Sequence, residues 1–85
     1  DRFESIAEFK DCIGRGDEIE FEWKGVHFGM SGCQPKPEHR IMAYLWNQPD
    51  TEQYFDTPDD ALEYIVAGDR LRDIITQIDV LSRAF

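Results

Sequence analysis

Glu18-Ile19-Glu20-Phe21-Glu22-Trp23 alternates acid and hydrophobe without a break. A period of two belongs to a half-buried strand, because successive side chains of an extended chain point to opposite faces. Ile19, Phe21 and Trp23 fall on one face, and Glu18, Glu20 and Glu22 on the other. One face must meet a core. The opposite face lines up like charges, a row that costs stability unless cations or solvent offset it.

Reading outward, this strand runs from about Asp17 to Trp23, Lys24-Gly25 makes a tight turn, and Val26 to Ser31 returns as a second strand. A two-residue turn sets a register. Trp23 then faces Val26, Phe21 faces Phe28 and Ile19 faces Met30, while Glu22 meets His27, Glu20 meets Gly29 and Glu18 meets Ser31. A slip of one residue would turn one apolar set into water, so the agreement of the two sets supports the hairpin. Glu22 and His27 are expected to form a cross-strand pair. Gly32 to Glu38, with Pro35 and Pro37, reads as a loop. Arg40 to Trp46 is a third strand, apolar at alternate positions on both sides. If Ile41, Ala43 and Leu45 join the core, Met42, Tyr44 and Trp46 lie on the glutamate face, either open to a partner or covered by the tail or a second helix. Asn47-Gln48-Pro49-Asp50 turns the chain, and Glu52 to Asp56 forms a short fourth strand.

Helices are expected at both ends. Ser5 and Glu8 have capping-box spacing, Ile6, Phe9 and Ile13 follow at helical intervals, and Gly14 with Gly16 ends the run. Thr57-Pro58-Asp59-Asp60 has a cap, a first-turn proline and an answering acid, and Leu62, Ile65 and Val66 supply an apolar stripe. Gly68 interrupts, Asp69 caps again, and Leu71, Ile74, Ile75 and Ile78 recur at helical spacing. Val80 to Phe85 either continues that helix or docks as a short segment. The expectation is one α+β domain over residues 1–85: a small antiparallel β-meander of three to four strands, with an N-terminal helix and two C-terminal helices on one face.

Composition narrows the partners. A hydrophobic fraction of 41% is ample for one core, while 18 acids against 9 bases leave a net charge of −9. Phosphate recognition relies on Lys and Arg, so direct nucleic-acid binding and an anionic membrane are disfavoured. Two cysteines, Cys12 and Cys33, cannot make a dense disulfide framework, and no apolar run of spanning length occurs. A cytoplasmic protein with free thiols is the simplest expectation.

Candidate chemistry is sparse. His27, Cys33 and His39 lie six apart and form a conceivable three-ligand metal site, but no paired spacing of the usual zinc kind is present. No phosphate cradle, nucleophile elbow or buried carboxylate pair emerges, so neither catalytic residues nor a cofactor is expected. Charge is more informative. From Ile41 to Asp69 there is no Lys or Arg, while Asp50, Glu52, Asp56, Asp59, Asp60, Glu63 and Asp69 all fall there. The expected binding face combines Glu18, Glu20 and Glu22 with Met42, Tyr44 and Trp46, because aromatic groups in an acidic rim suit a basic protein surface.

Four stretches occur together: F-x-S-I-x-E-F at Phe3–Phe9, E-I-E-F-E-W-K-G-V at Glu18–Val26, D-T-P-D-D-A-L at Asp56–Leu62, and V-A-G-D-R-L-R-D-I-I at Val66–Ile75. Their combination resembles small uncharacterised acidic domains of Gram-positive gut bacteria and their mobile elements. That resemblance implies no activity and no site residues. The chain is also similar, in size and charge alone, to anti-CRISPR inhibitors and other DNA mimics. The leading expectation is a non-catalytic protein-binding module. The alternatives are a DNA-mimic inhibitor of a nucleic-acid-binding protein, and a small metal-binding protein or enzyme built on His27, Cys33 and His39.

Overall fold

The computed structural model describes residues 1–32 and 40–84. Helix α1 (Ile6–Gly14) leads into β1 (Glu18–Trp23), β2 (Val26–Ser31), β3 (Ile41–Leu45) and β4 (Gln48–Phe55). After these come α2 (Pro58–Ala61), β5 (Ile65–Val66), β6 (Asp69–Arg70), α3 (Leu71–Ile74) and β7 (Asp79–Ala84). The main sheet is antiparallel, in the order β4-β3-β2-β1-β7, and β5 with β6 forms a separate small hairpin. The molecule is thus a small α+β domain.

The β1–β2 register is the expected one at every pair from Glu18↔Ser31 to Trp23↔Val26. Lys24 and Gly25 both take positive φ, 49° and 79°, the turn whose twist matches that of the flanking strands. Beneath the sheet, Ile19, Phe21, Phe28, Met30, Ile41 and Ala43 are buried against Phe9, Ile13, Leu62, Leu71, Ile75 and Ile78. Phe21 and Phe28 stack across β1 and β2 with ring centroids 4.8 Å apart. Residues at both helix starts behave as read: Ser5 Oγ accepts from Glu8 N–H, and Thr57 Oγ1 accepts from Asp60 N–H, each at 3.1 Å. The Glu8 carboxylate answers one residue earlier than the capping box predicts, on Glu4 N–H at 2.8 Å.

The C-terminal half departs from expectation. The helix begun at Thr57 stops after Ala61, and Ile65 and Val66 enter a strand. Ala67 and Gly68 both take positive φ, so Val66-Ala67-Gly68-Asp69 is a hairpin turn rather than a break between helices. Carbonyls that a longer helix would turn inward are used across this hairpin, with Leu62 O accepting from Arg72 N–H and Tyr64 O from Leu71 N–H. The last helix likewise keeps only Leu71–Ile74.

Of the two expectations for the tail, a continued helix or a short docked segment, the described residues take the second, as a strand. It is β7, antiparallel to β1, with a bulge that leaves Leu81 between the pairs Glu20↔Ser82 and Phe21↔Val80. The sheet therefore has five strands instead of three or four, and β1 becomes an interior strand. β4 begins at Gln48, earlier than the expected Glu52, because the turn from β3 is only Trp46-Asn47.

Candidate functional site

Alternation along the strands places one set of side chains on the sheet face away from the helices. Cross-strand rows align Tyr54, Met42, Ser31, Glu18 and Ala84, and, one step along, Tyr44, Gly29, Glu20 and Ser82. Glu22 sits opposite His27, beyond which Trp46 leaves the end of β3. All six residues expected to form the binding face, Glu18, Glu20, Glu22, Met42, Tyr44 and Trp46, therefore share one side of the sheet. Trp46 is 40% exposed, and Met42 and Tyr44 are half-buried.

Two features shape this face that the sequence reading did not include. Gly29 is one. A Cβ there would lie 2.6 Å from Cζ and Oη of Tyr44, so the absent side chain lets the tyrosine ring lie across β2 toward β1. Burial pushes the Tyr44 phenol up from its ordinary pKa, and the carboxylates of Glu18 and Glu20 add to the effect. His27 is the other. Its ring stacks on Trp46, with centroids 4.5 Å apart and planes within 7°. Tyr44 continues the row at 6.5 Å from Trp46. The expected ion pair is corrected here: His27 Nε2 approaches Glu20 Oε1 at 3.3 Å, not Glu22. Glu20 lies diagonally across from His27 on β1, while the other side of the imidazole is taken by the Trp46 ring.

The three rings make a ridge with a hollow on either side. On the β4 side a groove of about 450 Å³ is lined by Met42, Tyr44, Trp46, Pro49, Glu18 and Glu52, among others. Glu52 accepts a 2.9 Å hydrogen bond from Tyr54 Oη. On the β7 side a smaller hollow of about 250 Å³ lies among Glu18, Glu20, Tyr44, Trp46, Ser82 and Ala84.

Charge is sorted between the two sides of the molecule. Lys10 and Arg72 pair with Asp59, Arg70 and Arg72 with Glu63, Lys24 with Asp69, and Arg83 with Asp1 and Glu8. Arg15 grips the buried Asp17 at 3.0 Å, and Arg2 reaches Asp79 at the β7 edge. Among the described residues, Glu18, Glu22 and Glu52 meet no cation, and Arg40 is the one base outside these pairs. The acidic stretch from Asp50 to Asp69 is thus partly neutralised, with Asp59, Glu63 and Asp69 all taken. Glu52, from the same stretch, instead joins Glu18 of the glutamate row in lining one groove.

Of the conceivable metal trio, Cys33 and His39 lie outside the described residues, and His27 belongs to the aromatic ridge. Among the described residues no group of His, Cys, Asp and Glu is placed to hold a metal ion. Cys12 is buried on α1, and desolvation pushes its thiol up, which suppresses the reactive thiolate. Among the described residues no helix is long and apolar enough to cross a membrane.

No family model matches the chain, and neither does any curated protein or solved structure.

Proposed function

We propose that this chain is a non-catalytic protein-binding module whose sheet face, built from Glu18, Glu20, Glu22, Met42, Tyr44 and Trp46, receives a partner with a basic surface. The observation that carries the reading is the sorting of charge. Among the described residues, every Lys and Arg except Arg40 is in an ion pair around the helices and the sheet edges, while Glu18, Glu22 and Glu52 stand beside an exposed aromatic ridge with no cation of their own. Tyr and Trp lose little conformational freedom on contact, so a pre-stacked ridge is a low-cost anchor, and flanking acids steer a basic partner into register. A DNA-mimic inhibitor would use the same acids in place of phosphates. The aromatic groups beside them favour a protein surface, since a mimic needs charge density more than apolar contact.

Photocrosslinking residues at positions 44 and 46, against controls at the exposed Ile65 and Leu81, test the face directly. The captured partner should come from positions 44 and 46 alone. Trp46→Ala should then weaken its binding by about 2 kcal/mol or more with the fold intact. Replacing Glu18, Glu20 and Glu22 by Gln should chiefly slow association and flatten its salt dependence. Equal crosslinking from Ile65 and Leu81, or an unchanged affinity for Trp46→Ala, would overturn the assignment.

A further inference from the structure

We infer that the groove on the β4 side of the aromatic ridge receives an arginine side chain from the basic partner, an inference that rests on the binding face proposed above. Its lining combines three kinds of surface. Met42 and Pro49 offer apolar contact for an aliphatic stem. Tyr44 and Trp46 offer aromatic surface, with the Trp46 ring held by its stack on His27 and the Tyr44 ring seated over Gly29. Glu18 and Glu52 supply negative charge, and among the described residues neither has a cationic partner.

These properties select a guanidinium over an ammonium. The groove is a trough on a sheet surface and does not enclose its occupant, so a strongly hydrated ammonium gains little there. A guanidinium is planar and weakly hydrated, stacks on an aromatic face, and still presents donors at its edge to a carboxylate. The Tyr54 hydroxyl, donating to Glu52 Oε1, restrains that carboxylate beside the groove. A metal ion would need carboxylates converging on one point. Glu18 and Glu52 instead stand on β1 and β4, separated by two intervening strands and so by about 14 Å across the sheet.

The test uses blocked Ser-X-Ser tripeptides in which X is arginine, lysine or citrulline, together with an oligolysine peptide. Binding is followed by NMR at low salt through the Trp46 indole N–H and, in the Trp46→Ala variant, through the backbone amides of Tyr44 and Glu52. The arginine peptide should shift that signal saturably and bind roughly fivefold or more tightly than the lysine peptide, the scale of one added cation–π contact. Citrulline has the same shape without the charge, and its peptide should leave the signal in place. Glu52→Gln should weaken arginine binding several-fold with the chain folded, and Trp46→Ala should abolish the discrimination between arginine and lysine. If arginine, lysine and oligolysine act on Trp46 alike, the arginine site is wrong while the acidic binding face stands. If no peptide, oligolysine included, perturbs Trp46, both readings fall.

Discussion

Gly29 shows how one absent side chain shapes a surface. Glycine inside a strand weakens it, yet here it lies between Glu20 and Tyr44 and makes room for the tyrosine ring. Gly29→Ala should cost about 1 kcal/mol, because the added methyl meets the far end of a side chain that is able to swing away. Adding Tyr44→Ala should cancel that penalty, since alanine otherwise suits a strand better than glycine. Urea unfolding of the two single variants and the double variant measures the coupling. Additive losses would mean that the tyrosine does not hold its place over Gly29. The same swing would disturb the ring row, so Gly29→Ala should also shift the Trp46 indole resonance.

At the scale of elements, the small β5–β6 hairpin is clasped to the turn between β1 and β2. Trp23 Nε1 donates to Asp69 Oδ2 at 2.8 Å, and Lys24 Nζ lies 2.9 Å from the same oxygen. The Trp23 hydrogen bond holds the Asp69 carboxyl below its ordinary range, and Lys24 reinforces it. Arg72 first, then Arg70, lowers Glu63 in the same way. A depressed folded pKa contributes stability above the unfolded value, and that contribution is lost as pH falls through the folded one. Asp69→Asn should therefore be less stable than the parent near neutral pH. The gap should narrow on acidification and close below the depressed value, as thermal melts across the acid range would show. A gap independent of pH would mean that the clasp acts through shape and not charge. The aspartate was legible in the sequence as a helix cap and as one acid of the Asp50–Asp69 stretch. Its use as a clasp depends on Trp23, 46 residues away in the chain.

For the molecule as a whole, the question is whether the acidic row serves the fold or something outside it. Glu18 and Glu22 belong to the same row, and among the described residues neither meets a cation. Replacing both by Gln should leave stability unchanged or raise it, with any gain shrinking as added salt screens the repulsion. Denaturant unfolding at low and high ionic strength measures this. A clear loss of stability would assign the row to the fold and remove the main support for a binding face. The same variant should bind a basic partner more slowly, so stability and association should move in opposite directions.

How much of this was readable in advance follows from the length of each period. Glu18 to Ser31 carries alternation through two strands and a tight turn, enough for the sequence alone to determine the register, the core face and the position of the glutamates. Strand β3 is apolar on both sides, so alternation grouped Met42 with Tyr44 but left to the tertiary structure which side met the core. The second half held no such run. Leu71, Ile74, Ile75 and Ile78 are all buried, as helical spacing predicts, but only one turn of helix serves them. Elements this short leave little periodicity to read, and hydrogen bonds donated by Leu71 and Arg72 N–H to the Tyr64 and Leu62 carbonyls decided the backbone between them. Asp79–Ala84 hid its strand for a related reason: the bulge at Leu81 breaks the alternation that would have marked it. Local period thus determined the glutamate-bearing hairpin. Only tertiary structure decided that a fifth strand closes its far side and that rings from two strands stack beside it, because both depend on partners distant in the chain.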